Sequence, residues 1–302
     1  MDKIALVTIT YNSEDVLPDF LDCIAKQTYH NLVLYVIDNA SNDETSSILR
    51  KVNDFQISVI YNKKNLGVAK ANNQGIIKAM NDGCEQILII NNDVKFESNL
   101  IEKLLKAQKQ NNCSLVVPKM MYFDNPNHIW YAGSWFIKNK GYLPLHRGMK
   151  DIDKGQYDET IEVEYAPTCC LLVKREVFDD IGIMNEKYFV YFDDTDFSYR
   201  ILKDGRHNIF YYPHVKFYHK VGSLTKSFNQ SGEKIYRGDF FIKQNTKNHI
   251  YFLRNIGTIF SYGFIIWLFF KNNIRFIVNR DIRKNFSTWW LINKAYFEGI
   301  RM

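Results

Sequence analysis

The sequence is poor in features that would make it a disulfide scaffold or a cysteine-based metal site. Cys23, Cys84, Cys113, Cys169 and Cys170 are scattered without CxxC spacing, and an adjacent pair such as Cys169 and Cys170 rarely closes a disulfide or a metal clamp. Buried, reduced thiols are expected. There is no internal repeat and no low-complexity segment. With 46% hydrophobic and 24% charged residues, the composition excludes disorder, collagen and coiled-coil rods. Long apolar runs are also missing. The uncharged stretch Ile256–Phe270 has fifteen residues, whereas a spanning helix needs about 20. At the start, Met1 and Asp2 lead directly into Ile4–Ile9, six residues that are too short for a signal-peptide core and lack a small-residue cleavage site. A cytosolic location is the expectation.

Charge of either sign is modest: 39 Lys and Arg against 33 Asp and Glu over 302 residues, for a net +6. Its distribution is uneven. Residues 247–302 hold nine Lys and Arg against two Asp and Glu, together with 14 of the 46 aromatic residues. A near-neutral body thus precedes a basic, aromatic tail of the kind that suits an anionic, partly apolar surface. Packing against the body or a second subunit is the ordinary alternative for the tail, and nucleic acid is the rival partner. No nucleic-acid motif accompanies the basic residues, so nucleic acid is not expected as a partner.

The first 120 residues alternate short β-branched runs with helical patterns, the signature of an α/β fold with a mostly parallel sheet flanked by helices. Predicted strands are Ile4–Ile9, Leu32–Ile37, Ile57–Tyr61, Gln86–Ile90 and Ser114–Pro118. Predicted helices are Glu14–Gln27, Asp43–Asn53, Gly67–Asp82 and Ser98–Gln110, with Asn42 and Asp43 offering capping side chains. Beyond residue 120 the pattern predicts strands at Trp130–Ile137, Ile161–Tyr165, Cys169–Val173 and near Asn208–Tyr212, and a helix over Asp194–Lys203. The polar stretches Lys138–Asp158 and Ser223–Glu233 read as loops, the first of them mobile.

Ligands of such sheets bind beyond the carboxyl ends of the strands. Thr10, Tyr11 and Asn12 follow the first strand, and Asp38-Asn-Ala-Ser-Asn-Asp43 follows the second. An Asp there can accept the imide N–H of a pyrimidine while Tyr11 covers the base, or it can cap the next helix. After the third strand, Asn65 and Gly67 lead into Ala69, Ala71, Asn72, Asn73 and Gly75, small residues that let a helix approach the sheet or a ligand, with a helix N-terminus that favours a diphosphate. The apolar fourth strand delivers Asn91-Asn92-Asp93, where a single carboxylate suits Mg²⁺ or Mn²⁺ bridging two phosphates. Further on, Asp193, Asp194 and Asp196 sit behind the aromatic run Tyr188–Phe192. They suit a helix dipole, but burial and like charge would also raise one pKa and make a base. His219 closes a strand-like run and is a candidate metal ligand.

In this order, Thr-Tyr-Asn, Asp-Asn-Ala-Ser, Asn-x-Gly, Asn-Asn-Asp, Asp-Asp-x-Asp-Phe-x-x-Arg and His-x-x-Gly-Ser resemble the family-2 inverting glycosyltransferases. The likeness is greatest to the bacterial rhamnosyl- and galactofuranosyltransferases of surface polysaccharides, and it covers about residues 3 to 225. It implies a GT-A fold, Rossmann-like in its central sheet, with residues 1–230 as the catalytic domain (1–120 for the nucleotide, 121–230 for the acceptor). Residues 231–302 would then form a helical, membrane-associating extension.

The resemblance assigns Thr10, Tyr11, Asn12, Asp38, Asn65, Asn72 and Asn92 to the donor, Asp93 and His219 to a divalent metal, Asp194 to the catalytic base and Asp193 to the acceptor. Asn91 stands where the family's metal motif usually has Asp, which makes a His ligand more plausible. The implied donor is a UDP- or dTDP-sugar, with a rhamnose-like, galactofuranose or hexose sugar. The acceptor would be a lipid-linked glycan of O-antigen, capsule or cell-wall synthesis at the inner face of the membrane. Homo-oligomers remain open. A nucleotide-sugar-binding module without turnover is the alternative class. A sugar nucleotidyltransferase is disfavoured, because no Gly-rich, Lys/Arg-bearing phosphate loop follows the first strand.

Overall fold

The computed structural model describes residues 3–220, 238–278 and 286–302. Strands β1 (Ile4–Thr10), β2 (Leu32–Asp38), β3 (Gln56–Tyr61) and β4 (Gln86–Ile90) alternate with helices α1 (Leu17–Ala25), α2 (Thr45–Arg50) and α3 (Val68–Asn81). The strand ends agree with the sequence pattern to a residue, while the helices are shorter than predicted. Then come β5 (Val94–Phe96), α4 (Leu100–Gln110), β6 (Leu115–Tyr122), β7 (Ile129–Tyr131), β8 (Ser134–Ile137) and β9 (Leu143–His146). They are followed by β10 (Ile161–Val163), β11 (Cys170–Lys174), α5 (Arg175–Ile181), α6 (Asp193–Asp204) and β12 (Ile209–His219). The C-terminal helices are α7 (Asp239–Ile256), α8 (Ile259–Val278) and α9 (Phe286–Arg301).

The main sheet runs β10-β12-β6-β11-β4-β1-β2-β3, with β5 added to β12 and β7 to β6. β1 to β4 pair in parallel, β11 lies antiparallel between β4 and β6, and β12 is parallel to β6. Thus β4 and β6 never meet except through β11. Strands β1, β2 and β4 are buried almost throughout, as strands covered by helices on both faces must be. Gly75 explains how close that cover is. A Cβ there would lie 2.5 Å from Val7 and 2.6 Å from Ile37, so α3 reaches the sheet only because position 75 has no side chain. All five cysteines are buried and free.

Three expectations change. The predicted strand Trp130–Ile137 breaks into β7 and β8 at Gly133, whose φ of +102° excludes regular strand. The short strand near Asn208–Tyr212 continues to His219, because β6 and β5 flank its second half. The stretch Lys138–Asp158 is no mobile loop. It contains β9, paired antiparallel to β8, and its acids Asp153 and Asp158 both bind the buried Lys119 ammonium. Its polarity serves a buried charge rather than water. The loop Ser223–Glu233 lies outside the described residues.

In the C-terminal part, α7 packs along α9 and α8 and against the segment Tyr188–Phe192. Among the described residues no helix is long and apolar enough to cross a membrane. The outer face of α8 nevertheless exposes Ile266, Trp267, Phe270 and Ile274 beside Lys271.

Candidate active site

At the carboxyl edge of the sheet, β1 and β2 end in register at Thr10 and Asp38. Asp38 is buried and accepts hydrogen bonds from Thr10 Oγ1 (2.9 Å) and Ser41 Oγ (2.5 Å) on Oδ1, and from Ser41 N (3.2 Å) on Oδ2. It does not cap α2. The N-cap residue of α2 is Glu44, without a side-chain cap bond, and the residue before it, Asp43, accepts from Thr45 N on Oδ1 at 3.1 Å. Asn12, in the left-handed region at φ 50°, ties the same turn together by accepting from Asn42 N (2.9 Å) and donating its own N–H to Ser41 (2.9 Å). Tyr11 stands out from this edge, 44% exposed, free to cover a flat ligand.

Beside it, Asn39 organises the entry to α3. Its amide donates to Asn65 Oδ1 and Gly67 O (both 3.2 Å) and accepts from Asn62 (3.0 Å) and Leu66 N (3.2 Å). Gly67 has φ +86°, and a Cβ on it would sit 2.4 Å from Phe189 O. Asn65 therefore shapes a tight turn, accepting from Gly67 N at 2.9 Å. Asn72 is buried against Met184, its Nδ2 3.7 Å from the sulfur. Asn92 clasps β4 to β1 through Ile9 O (3.1 Å) and Ser13 Oγ (3.0 Å).

Asp93 follows β4, well before α4, and so does not cap that helix. The β5–β12 ladder, which puts His219 opposite Val94, brings the imidazole to it: His219 Nε2 is 3.4 Å from Asp93 Oδ1, and both residues are buried. Among the described residues no cage of three His, Cys, Asp or Glu exists. The pair itself fits a cation. A 3.4 Å span suits neighbouring ligands with bonds of about 2.0–2.1 Å, and one carboxylate with one imidazole leaves positions for phosphate oxygens. His219 Nδ1 is buried without a hydrogen-bond partner among the described residues.

The acid cluster opens α6. Asp193, Asp194 and Asp196 all lie in its first turn, where the dipole favours their charged forms. Burial outweighs that for each. Asp193 is pushed up from 3.8 to about 8, first by burial and then by the Asp194 charge. Asp194 also rises through burial, opposed by its hydrogen bonds: Tyr165 OH donates to Oδ2 at 2.7 Å and Thr195 N to Oδ1 at 2.7 Å. Asp196 instead pairs with Arg200 (2.9 Å) and accepts from Tyr188 OH. It is a structural ion pair.

Cys169 meets the residues after β4 through its carbonyl, which accepts from Asn91 N at 3.0 Å. Its thiol, raised first by burial, also feels the charges of both Asp93 and Asp194. Sequence reasoning missed Tyr165 and His146, whose rings stack 5.8 Å apart, as well as Trp130, which packs edge-on against both His146 and His219 at 4.8 Å. Burial holds His146 down at about 4, neutral in this cluster. In the sequence Trp130 and Tyr165 showed only as members of predicted strands, and His146 fell within the stretch Lys138–Asp158 that read as a loop.

The sequence model of glycosyl transferase family 2 matches residues 5–182. The dTDP-rhamnosyl transferase RfbF of Shigella flexneri is 26% identical over 223 residues, covering 74% of this chain and 71% of its own. The low-salt glycan biosynthesis hexosyltransferase Agl10 of Haloferax volcanii is 23% identical over 208 residues, covering 68% and 63%. Among solved structures, TarS of S. aureus (residues 1–349) with UDP-GlcNAc superposes with a TM-score of 0.60 at 16% identity, over 98% of this chain and 81% of that one. GalNAc-T7 with UDP, GalNAc and Mn²⁺ reaches 0.63 at 16% identity, over 84% and 48%. The chain thus spans 63% to 71% of the length of these two curated relatives. With the match running unbroken from β1 through β11 and into α5, the chain belongs to glycosyl transferase family 2.

Proposed function

We propose that the chain is an inverting transferase that moves a sugar from a UDP- or dTDP-sugar to a hydroxyl of a glycan acceptor. One observation carries this reading: the Asp194 carboxylate, held in one orientation by Tyr165 and Thr195, is joined to the Asp93–His219 pair through the contiguous rings of Tyr165, His146 and Trp130. Asp194 takes the proton of the acceptor hydroxyl as that oxygen attacks the anomeric carbon, and the nucleoside diphosphate leaves from the opposite face. Asp193, raised and protonated at neutral pH, donates to the acceptor and steadies it.

At the donor edge, one Asp38 oxygen accepts the pyrimidine imide N–H, Tyr11 covers the base, and Thr10 and Asn12 line the ribose. Asn65, Asn72 and Asn92 hold the walls of that cleft. Asp93 and His219 would hold Mg²⁺ or Mn²⁺, which when bound supplies positive charge to the leaving diphosphate. The UDP bound in GalNAc-T7 and the UDP-GlcNAc bound in TarS favour a UDP donor, and the likeness to the dTDP-rhamnosyl transferase RfbF favours dTDP.

Residues 1–230 form the catalytic unit in this reading, and the acceptor is a lipid-linked glycan of O-antigen, capsule or cell-wall synthesis. The exposed Trp267, Phe270 and Ile274 with Lys271 would rest at an anionic bilayer surface on the cytoplasmic side. A Trp267→Ser, Phe270→Ser variant should then sediment less with phosphatidylglycerol vesicles, and undiminished sedimentation refutes the surface.

The central test is a thermal-shift panel of UDP- and dTDP-sugars with and without Mn²⁺, paired with transfer assays of Asp194→Asn. Donor should raise Tm in both proteins, while transfer falls by about 10²- to 10⁴-fold in the variant. No shift with any donor removes the reading, and normal transfer by the variant removes the base.

A further inference from the structure

The two residues ahead of the acid pair, Tyr191 (φ 65°) and Phe192 (φ 69°), both lie in the left-handed region. Side chains other than glycine rarely adopt it, and two in succession require the surroundings to enforce it. Phe192 is also the residue from which α6 starts, its carbonyl accepting from Asp196 N at 2.8 Å. The direction in which Asp193 and Asp194 leave the backbone is therefore set by this pair.

The enforcing group comes from the far end of the chain. Asn248, fully buried in α7, donates its amide to Val190 O at 2.8 Å and to Tyr191 O at 2.9 Å. The next residue, His249, stacks on the Phe192 ring at 5.4 Å and 25°, and donates from Nε2 to Gly141 O at 2.8 Å. Gly141 closes the β8–β9 turn at φ +72°, where a Cβ would lie 2.9 Å from that same nitrogen.

We infer that Asn248 is a positioning residue for transfer: its two hydrogen bonds hold the left-handed turn that aims Asp193 and Asp194 into the site. This rests on the reading of Asp194 as base and extends it, because it makes α7, outside the matched family region, part of the acceptor half. Without the amide, two carbonyls lose their partner and the turn is free to relax toward ordinary backbone angles.

Kinetics of the full chain test the clamp. Asn248→Ala should lower kcat by about 10- to 100-fold, as a displaced reacting group does. Donor KM and UDP affinity should stay within about twofold, since the groups assigned to donor lie at the ends of β1 to β4. Adding Tyr191→Gly, which adopts the left-handed angle freely, should recover part of the lost kcat, a rescue that a general loss of stability would not show. If Asn248→Ala does not fold, Asn248→Ser, which keeps a donor for one carbonyl, carries the same comparison. Wild-type kcat in a folded variant overturns the clamp, as does a parallel loss of kcat and UDP affinity. Impaired Asn248→Ala beside a normally active Asp194→Asn leaves the clamp and rejects the base. The converse result rejects the clamp alone.

Discussion

Asp38 and Asp194 are both carboxylates held by hydroxyls and backbone N–H groups, but their supports come from different distances. Asp38 is fixed by Thr10 on the neighbouring strand and by Ser41 in its own turn. Asp194 relies on Tyr165 and, through the turn before it, on α7. The donor edge is thus assembled by parallel strands ending in register, a geometry that the sheet supplies as it forms. The acid pocket is assembled by side-chain packing between segments far apart in sequence. One half should tolerate loss of the C-terminal helices better than the other.

A large effect on donor binding should come at the donor edge. Asp38→Ala removes a charged acceptor, and hydrogen bonds to charged groups contribute about 1.5–3 kcal/mol, so calorimetric UDP or dTDP affinity should weaken by about 10- to 150-fold. Unchanged affinity would move base recognition elsewhere and dissolve the contrast. A smaller effect is expected beneath the same edge. Gly75→Ala forces a methyl against Val7 and Ile37, and overpacking of this kind costs about 1–3 kcal/mol. Urea midpoints should fall accordingly, and an unshifted midpoint would mean that α3 slides away without cost.

A third test separates the acid pocket by pH. Asp193 unfolds to an ordinary carboxyl near 3.8 and folds to one near 8, so the unfolded state releases its proton first as pH rises. Stability from this group is fully present below 3.8 and is lost progressively up to about pH 8. Asp193→Asn should flatten the fall of Tm across that window. Parallel Tm curves for the two proteins would show that Asp193 is not protonated in the fold.

The same contrast separates what could be read in advance from what could not. Strands β1 to β4 were legible because short β-branched, mostly apolar runs alternating with helical patterns have few other solutions, and the residues after each run fell at the strand ends as expected. The motif around Asp193–Arg200 marked an acid cluster, but not which acid pairs with Arg200. The hydrophilic stretch after Ile137 was misleading: the buried Lys119 that pairs with its acids sits in a strand of otherwise apolar character. Asn248 carried no local signal, since an amide in the middle of a helical pattern reads as solvent-facing until the carbonyls of Val190 and Tyr191 are placed beneath it. His219 was visible only as a strand end. Its approach to Asp93 needed β5, three residues too short to stand out.

The antiparallel strand β11 also bears on synthesis of the chain. Because it alone among the described strands bridges β4 and β6, a nascent polypeptide that has emerged only as far as β6 holds the β4-β1-β2-β3 sheet with β6 still unpaired, its partners β7, β11 and β12 not yet made. The apolar β4 then presents an open edge, a template for pairing with another chain. That edge closes only when Cys170–Lys174 arrives, so pausing of the ribosome before this strand, or truncation there, would expose the sheet where it is most prone to aggregate.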